Sequence, residues 1–320
     1  MIKGKGSEIT DPEVVNSRSQ RKVITSVLMM KLIKIAKKKM NLKLAQSFRN
    51  TYYCLTKLVI FEGKMYGDYC KNRFCTVCSG YRKAYLINRY LPVVQKWEDP
   101  YFVTLTVKSV PAKRLNIMVD KVNKGFKRIN NKYARRHQRG TGQKLVGIRT
   151  SECNYNPIKK TYNPHLHILV ANRQMAEILV EEWLQLWGNK FTSRHAQFIR
   201  KVEDSERDLI EIIKYNTKIF TKPKKDDKKN NPIKIYVKAM YNIIVAMKGH
   251  RIINRFGFNL PKNNKSKENV ITSLTSYDKS KYSLKDTDWV NEETGEFLSN
   301  YKLDPELKDL LKNKINTSLE

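Results

Sequence analysis

The chain has 320 residues, enough for one large domain or two modest ones, and 40% of them are hydrophobic, enough for a real core. Its 63 Lys and Arg against 30 Asp and Glu leave a formal charge of +33, which argues against a self-contained acidic or neutral enzyme and for a polyanionic partner. Nucleic acid fits best and an anionic membrane surface comes second, but no apolar run of about 18 residues and no signal-peptide pattern is found, so a cytoplasmic protein without a membrane partner is expected.

Residues 1–20 are polar, with Gly4, Gly6 and Pro12, and read as disordered. Arg21 to Arg49 reads as helix, with Val23, Val27, Met30, Leu32, Ile33 and Ile35 forming an apolar side among lysines. Lys37, Lys38 and Lys39 make a basic knot that is either a DNA-contacting arm or a solvated helical face.

Cys54, Cys70, Cys75 and Cys78 come next. The last two have the Cys-x2-Cys spacing at which a tight turn brings two thiolates onto one Zn²⁺, with Cys54 the nearest candidate for a fourth ligand. Four unligated buried thiols are the other reading. The fifth cysteine, Cys153, stands apart.

Lys83 to Trp97 reads as helix, Tyr101 to Val107 as a β-branched and aromatic strand, and Leu115 to Tyr133 as an amphipathic helix. His137 to Gly142 is a basic loop. Lys144 to Tyr155 is a second strand, carrying Glu152, and the turn-rich Asn156 to Asn163 joins it in a hairpin to the strand that follows. That strand reads Asn163-Pro164-His165-Leu166-His167-Ile168-Leu169-Val170. Alternate strand residues share a face, so His165 and His167 point together while Leu166 and Ile168 point away. Two neighbouring imidazoles suit a divalent ion; a structural histidine beside a half-exposed one is the bland alternative.

Gln174 to Trp187 is an amphipathic helix and Ala196 to Val202 a short strand. Asp208 to Lys218 reads as helix, and at about 100° per residue Glu211, Tyr215 and Lys218 fall on one face, opposite Leu209, Ile213 and Phe220. Such a polar face is often merely solvated. A charged loop spans Thr221 to Asn231, a helix Pro232 to Lys248, and a closing strand residues 250–260. The chain then turns polar until a short helix that Asp304 caps and Pro305 begins, running to Ile315.

Three elements recur in one order: a strand with Thr104-Leu105-Thr106, a His-hydrophobic-His strand, and Tyr215-x2-Lys218 on a helix. The combination resembles the HUH endonucleases, and most closely the rolling-circle plasmid replication initiator (Rep) proteins. Glu211, four residues before the tyrosine, matches one Rep subgroup, and the segment Tyr69 to Cys78 with Cys54 resembles that subgroup's Cys-rich stretch. Thr76 stands where Pro is usual, and Gly80-Tyr81 replaces an aromatic-basic pair. The resemblance covers roughly residues 50–260.

It implies an α+β fold with a central antiparallel sheet carrying the His strand, helices packed on one side and an open face for single-stranded DNA. The expected division is a basic helical arm (1–50), a four-cysteine zinc-binding module (51–82), the endonuclease domain (83–260) and a polar C-terminal appendage (261–320). The implied enzyme nicks single-stranded or hairpin origin DNA. Tyr215 would attack the scissile phosphate, leaving a 5′-phosphotyrosine and a 3′-OH that primes a host polymerase, with a helicase as a further partner. His165 and His167 would hold Mg²⁺ or Mn²⁺, with Glu152 as third ligand. Lys218 would anchor the phosphate. Glu211 would activate water for termination, or merely pair with Lys214 or Lys218. A single-tyrosine transposase or relaxase shares this chemistry; a non-catalytic zinc-finger DNA-binding protein is the reading from another class.

Overall fold

In the computed structural model, which describes residues 7–8, 12–61, 64–215, 235–261 and 280–316, helix begins well before the polar N-terminus is expected to end. Helix α1 runs Pro12–Lys38, with Pro at its start, where a missing N–H costs nothing. Val15, Arg18, Ser19 and Lys22 are all buried, so this first part is packed rather than disordered. The expected helix over 21–49 is in fact two. Met40 adopts φ 53°, and the Asn41 side chain caps α2 (Leu42–Tyr52) by accepting from Leu44 N–H at 3.2 Å. Neither Gly nor Pro marks this break, so hydrophobic periodicity runs through it.

The chain divides into two compact units: Met1–Tyr81 with Ile219–Tyr241 and Asn263–Glu320, and Arg82–Lys218 with Asn242–Lys262. In the first, strands β1 (Ser7–Glu8), β2 (Lys57–Phe61) and β3 (Lys64–Gly67) join β10 (Ser280–Lys285) and β11 (Asp288–Asn291) in an antiparallel sheet of order β1-β3-β2-β10-β11. Residues expected as a C-terminal appendage thus pair with the Cys-bearing segment, Tyr282 lying opposite Leu58. Trp289, fully buried, packs with Leu55, Leu58, Cys54 and Cys78, and its indole N–H donates to Leu55 O at 2.9 Å. Strands β8 (Ile235–Tyr236) and β12 (Ile315–Asn316) form a short parallel pair beside α8 (Pro305–Asn313), which Asp304 caps as expected.

The second unit is built on a five-stranded antiparallel sheet of order β7-β4-β6-β5-β9. The strands are β4 (Tyr101–Thr106), β5 (Gly147–Asn156), β6 (Thr161–Val170), β7 (Phe198–Lys201) and β9 (Ile253–Phe256). The β5–β6 hairpin, expected from its turn-rich link, is the longest pairing, and β6, with His165 and His167, is the middle strand. Helices α4 (Ala112–Gln138), α5 (Arg173–Phe191) and α6 (Ser205–Tyr215) belong wholly to this unit, while α3 (Thr76–Val94) and α7 (Val237–Ala246) begin in the first unit and continue into the second from Arg82 and Asn242.

Helices on one side only is the part of the expectation that the structure corrects. On the Leu166/Ile168 face, α4 and α5 pack, with Phe126 beneath the Arg149 guanidinium and Trp183 bonded to Thr106 O. On the histidine face, Leu209, Ile212 and Ile213 of α6, with Tyr90 and Val94 of α3, bury Phe102, Ile148 and Leu169. The reason lies in the strands. Leu169, Phe102 and Ile148 are in register on the same face as His167, and an apolar half-face must be covered.

Candidate metal and nucleophile site

The β4–β6–β5 register sets the site. Thr104 and Thr150 lie opposite His167; Thr106 and Glu152 lie opposite His165. Directly paired strand residues share a face, so two imidazoles, one carboxylate and three hydroxyls converge. Glu152 Oε2 is 3.7 Å from both His165 Nε2 and His167 Nε2, and the two Nε2 atoms are 3.1 Å apart.

Both rings are oriented from behind. His165 Nδ1 lies 2.9 Å from Asn163 O, a bond it can only donate, so a neutral ring carries its lone pair on Nε2. His167 Nδ1 meets Thr104 Oγ1 at 3.0 Å. Asn163 is itself fixed: its Nδ2 donates to Val107 O at 2.7 Å and its Oδ1 accepts from Thr106 Oγ1 at 3.0 Å. The Thr-Leu-Thr strand, noted in the sequence only as a motif, therefore supports the histidines through Thr104 and Thr106, together with Asn163, to which sequence reading gave no role. The strand alternation that paired the histidines would have pointed to them once β4 was placed beside β6.

His165 and Glu152 are only 5% and 8% exposed. Burial holds the His165 imidazole below its ordinary range, against the opposing pull of the Asn163 carbonyl, which keeps it a neutral donor. His165 Nε2, His167 Nε2 and the Glu152 carboxylate face one another with little solvent, so either His167 Nε2–H donates to His165 Nε2 or a cation takes its place among them. The donor set, two imidazoles and one carboxylate, fits a divalent metal ion.

Helix α6 packs on this same face. Asp204 Oδ1 accepts from Glu206 and Arg207 N–H at its start, and Leu209, Ile212 and Ile213 anchor it. Arg200, on β7 opposite Phe102, stacks over that ring at 4.9 Å and makes two bonds to buried Asp208. Phe102 in turn lies 5.5 Å from the His167 ring. Arg200 also reaches Glu211, with Nη2 and Oε2 4.0 Å apart, a cation beside that carboxylate which sequence reading did not name. The hydrogen bonds to Asp208, then its charge and that of Glu211, hold the guanidinium above its ordinary range. Tyr215 is the last residue of α6. The side chains of Lys214 and Tyr215 are not among those described, and Lys218 lies outside the described residues, as does the loop expected at 221–231.

The other tyrosines near the histidines are differently placed. Tyr162 lies on the opposite face of β6, is buried, and its hydroxyl accepts from Asn242 Nδ2 at 2.8 Å. Tyr155, paired with it across the hairpin, shares that face.

In the first unit Cys54, Cys70, Cys75 and Cys78 converge, with Cys54 and Cys70 sulfurs 3.5 and 3.7 Å from that of Cys78. Four sulfurs at about 2.3 Å from one tetrahedral ion would be about 3.8 Å apart, so the spacing fits a structural site. Backbone N–H groups of Cys70, Asn72 and Cys78 point at the sulfurs of Cys54, Cys70 and Cys75 at 3.4 Å each, as thiolates require. The Lys22 ammonium, 1% exposed, donates to Tyr52 O at 2.6 Å. Burial lowers its pKa to about 8, while Cys54, Cys75 and Cys70 oppose that shift. Cys153 takes no part, and burial pushes its thiol up to about 12.

Among the described residues no helix is long and apolar enough to cross a membrane. A family model described as "Replication protein" matches residues 64–301. "Protein rep" of Staphylococcus aureus is 31% identical over 166 residues, which are 47% of this chain and 69% of that protein. "Protein rep" of Streptococcus pneumoniae serotype 2 is 28% identical over 192 residues, 54% of this chain and 57% of that one. "Protein rep" of Lactiplantibacillus plantarum is 25% identical over 215 residues, 59% and 63% respectively. The chain thus spans over half of each of these relatives, and less than two thirds of the latter two. No solved structure matches.

Proposed function

Because this chain belongs to the replication protein (Rep) family, we propose that it initiates rolling-circle plasmid replication by nicking single-stranded origin DNA through Tyr215. The observation that carries this reading is the convergence of His165, His167 and Glu152 on the sheet face against which α6, ending at Tyr215, is packed.

His165, His167 and Glu152 would hold Mg²⁺ or Mn²⁺. When bound, such an ion neutralises charge on a scissile phosphate and polarises its P–O bonds. The chain's own residues do the rest. Asn163 and Thr104 hold the two rings in one orientation, so the donor atoms need no rearrangement when a ligand arrives. The Arg200–Asp208 pair and the apolar side of α6 fix that helix against the sheet, setting where Tyr215 begins its approach.

The Tyr215 oxygen forms a bond to phosphorus, the bond to the 3′-oxygen breaks, and the phenolic proton leaves as the 3′-oxygen gains one. The products are a 5′-phosphotyrosine and a 3′-OH that serves as primer. Lys218 steadies the phosphate, and Glu211 acts at termination on the water that frees the enzyme. Cys54, Cys70, Cys75 and Cys78 would hold a structural zinc, which when bound would tie together the segments that carry them. Host polymerase and helicase follow at the nick.

The test is incubation of the protein with single-stranded origin DNA and Mn²⁺. A covalent protein–DNA species with a new 3′-OH end supports the reading. Binding without any adduct would leave a DNA-binding replication protein of another mechanism.

A further inference from the structure

A cavity of about 420 Å³ opens on the second unit between α4, β5 and the segment at β9. Its lining includes Lys124, Lys127, Arg149, Arg251 and Arg255, with Asp120 as the one carboxylate. Asp120 is committed to Lys124, at 2.8 Å. Four cations thus face the cavity with no acidic lining residue left to balance them.

Arg149 is the strongest sign of a ligand. It is 8% exposed, yet no carboxylate lies within ion-pair distance among the described residues. Its Nη1 donates to Asn123 Oδ1 at 2.9 Å and Ser151 Oγ at 2.7 Å, and its plane lies over Phe126 at 5.0 Å. Its Nε is buried and meets no acceptor. A buried arginine with neutral partners only and an unmet donor is costly, because its desolvation is not repaid by an opposite charge. Burial, and then the nearby Arg251, lower its pKa to about 10. An anion at the cavity would remove that cost, and a guanidinium suits a phosphate's paired oxygens.

The cavity is also remote from the histidines in a definite sense. Arg149 lies opposite Ile168, on the other face of the sheet from His167, which lies opposite Thr150. It cannot serve the scissile phosphate.

We propose that this cavity, anchored by Arg149, binds a backbone phosphate of the origin DNA away from the nick. The inference rests on the chain acting on DNA, as read above. The phenyl rings of the lining, Phe126 and Phe256, pack edge to face at 5.2 Å, and Phe126 also lies under Arg149. With both rings so engaged and a net charge of +33, a phosphodiester is favoured over a free nucleotide that would need a ring to stack its base. Such a phosphate would fix the register of the strand on the protein without its sequence being read.

The test uses the full chain with origin oligonucleotide over a range of salt, comparing wild type, Arg149→Met, and the surface double variant Lys127→Ala/Arg251→Ala, which does not touch the core. Inorganic phosphate supplies the second arm, read as a shift in melting temperature. The proposal expects several-fold weaker DNA binding for both variants. It also expects a salt slope shallower by about 0.7 to 0.9 for each phosphate no longer neutralised. Unchanged affinity and slope in the surface double variant would overturn it. Loss of the phosphate-induced shift with DNA binding intact would also overturn it, assigning the cavity to a free anion. If wild type itself bound no origin DNA, the functional reading would fail instead, which the same experiment distinguishes.

Discussion

The Nε2 atoms of His165 and His167 face each other at 3.1 Å, and Glu152 Oε2 stands 3.7 Å from each. Both Nδ1 atoms are engaged behind the rings, so the two Nε2 atoms are the ones turned toward each other and toward the carboxylate. Replacing His165 or His167 by Ala should abolish nicking. Glu152→Gln should leave nicking possible but raise the metal concentration needed by tenfold or more, about 1.4 kcal/mol in ion affinity. A metal titration of nicking checks this. Undiminished nicking in chelator would remove the metal role, and an unchanged titration for Glu152→Gln would remove that ligand alone.

The same site predicts a pH dependence for the metal-free protein. Burial depresses the His165 pKa in the folded chain, so the unfolded chain binds its proton first on acidification. Stability is therefore at its full value above the ordinary histidine pKa of about 6.5 and falls as the pH drops from there through the lower folded value. In His165→Gln this part of the acid loss should disappear. Urea unfolding at several pH values measures it, and an identical pH profile in the variant would contradict the assignment.

The four sulfurs of Cys54, Cys70, Cys75 and Cys78 predict about one zinc per chain by elemental analysis. Cys75→Ser should release the metal and lower the melting temperature sharply, because structural zinc affinity is on the order of 10 kcal/mol and is folding energy here. Cys153→Ser should keep both zinc and fold. Zinc-free protein that melts normally would refute the cluster's role.

Glu211 lies four residues, and so about 6 Å along the axis, from Tyr215 on α6. If it serves termination, Glu211→Gln should nick at the wild-type rate while covalent adduct accumulates and circular product fails to form. Its 4.0 Å approach to Arg200 is the competing role, and a half-exposed pair of that kind contributes about 0.5 kcal/mol at most. In that case both steps should run unchanged in Glu211→Gln. Time courses of nicking and of adduct release separate the two.

Local signals carried much of the site. The alternation in Asn163 to Val170 placed both histidines on one face, and the turn-rich Asn156 to Asn163 brought Glu152 opposite His165. What escaped was non-local or unmarked. The pairing of Leu58 with Tyr282 joins segments over two hundred residues apart, and no periodicity announces such a partner. The break at Met40 hides in a lysine run without Gly or Pro. The cover of α6 over Leu169 was legible in principle, because that leucine shares a face with His167, but the two imidazoles make the same face read as open and polar. Arg200 beside Glu211 depends on β7 lying next to β4, which is a matter of topology.

The central claim is that Tyr215 joins DNA. Wild-type protein should be incubated with single-stranded origin oligonucleotide and Mn²⁺, digested, and the modified peptide mapped by mass spectrometry, with Tyr215→Phe in parallel. The account predicts a nucleotide adduct on Tyr215, and none in the variant, although the variant still binds the oligonucleotide. An adduct on another tyrosine, or nicking by Tyr215→Phe at the wild-type rate, would contradict it.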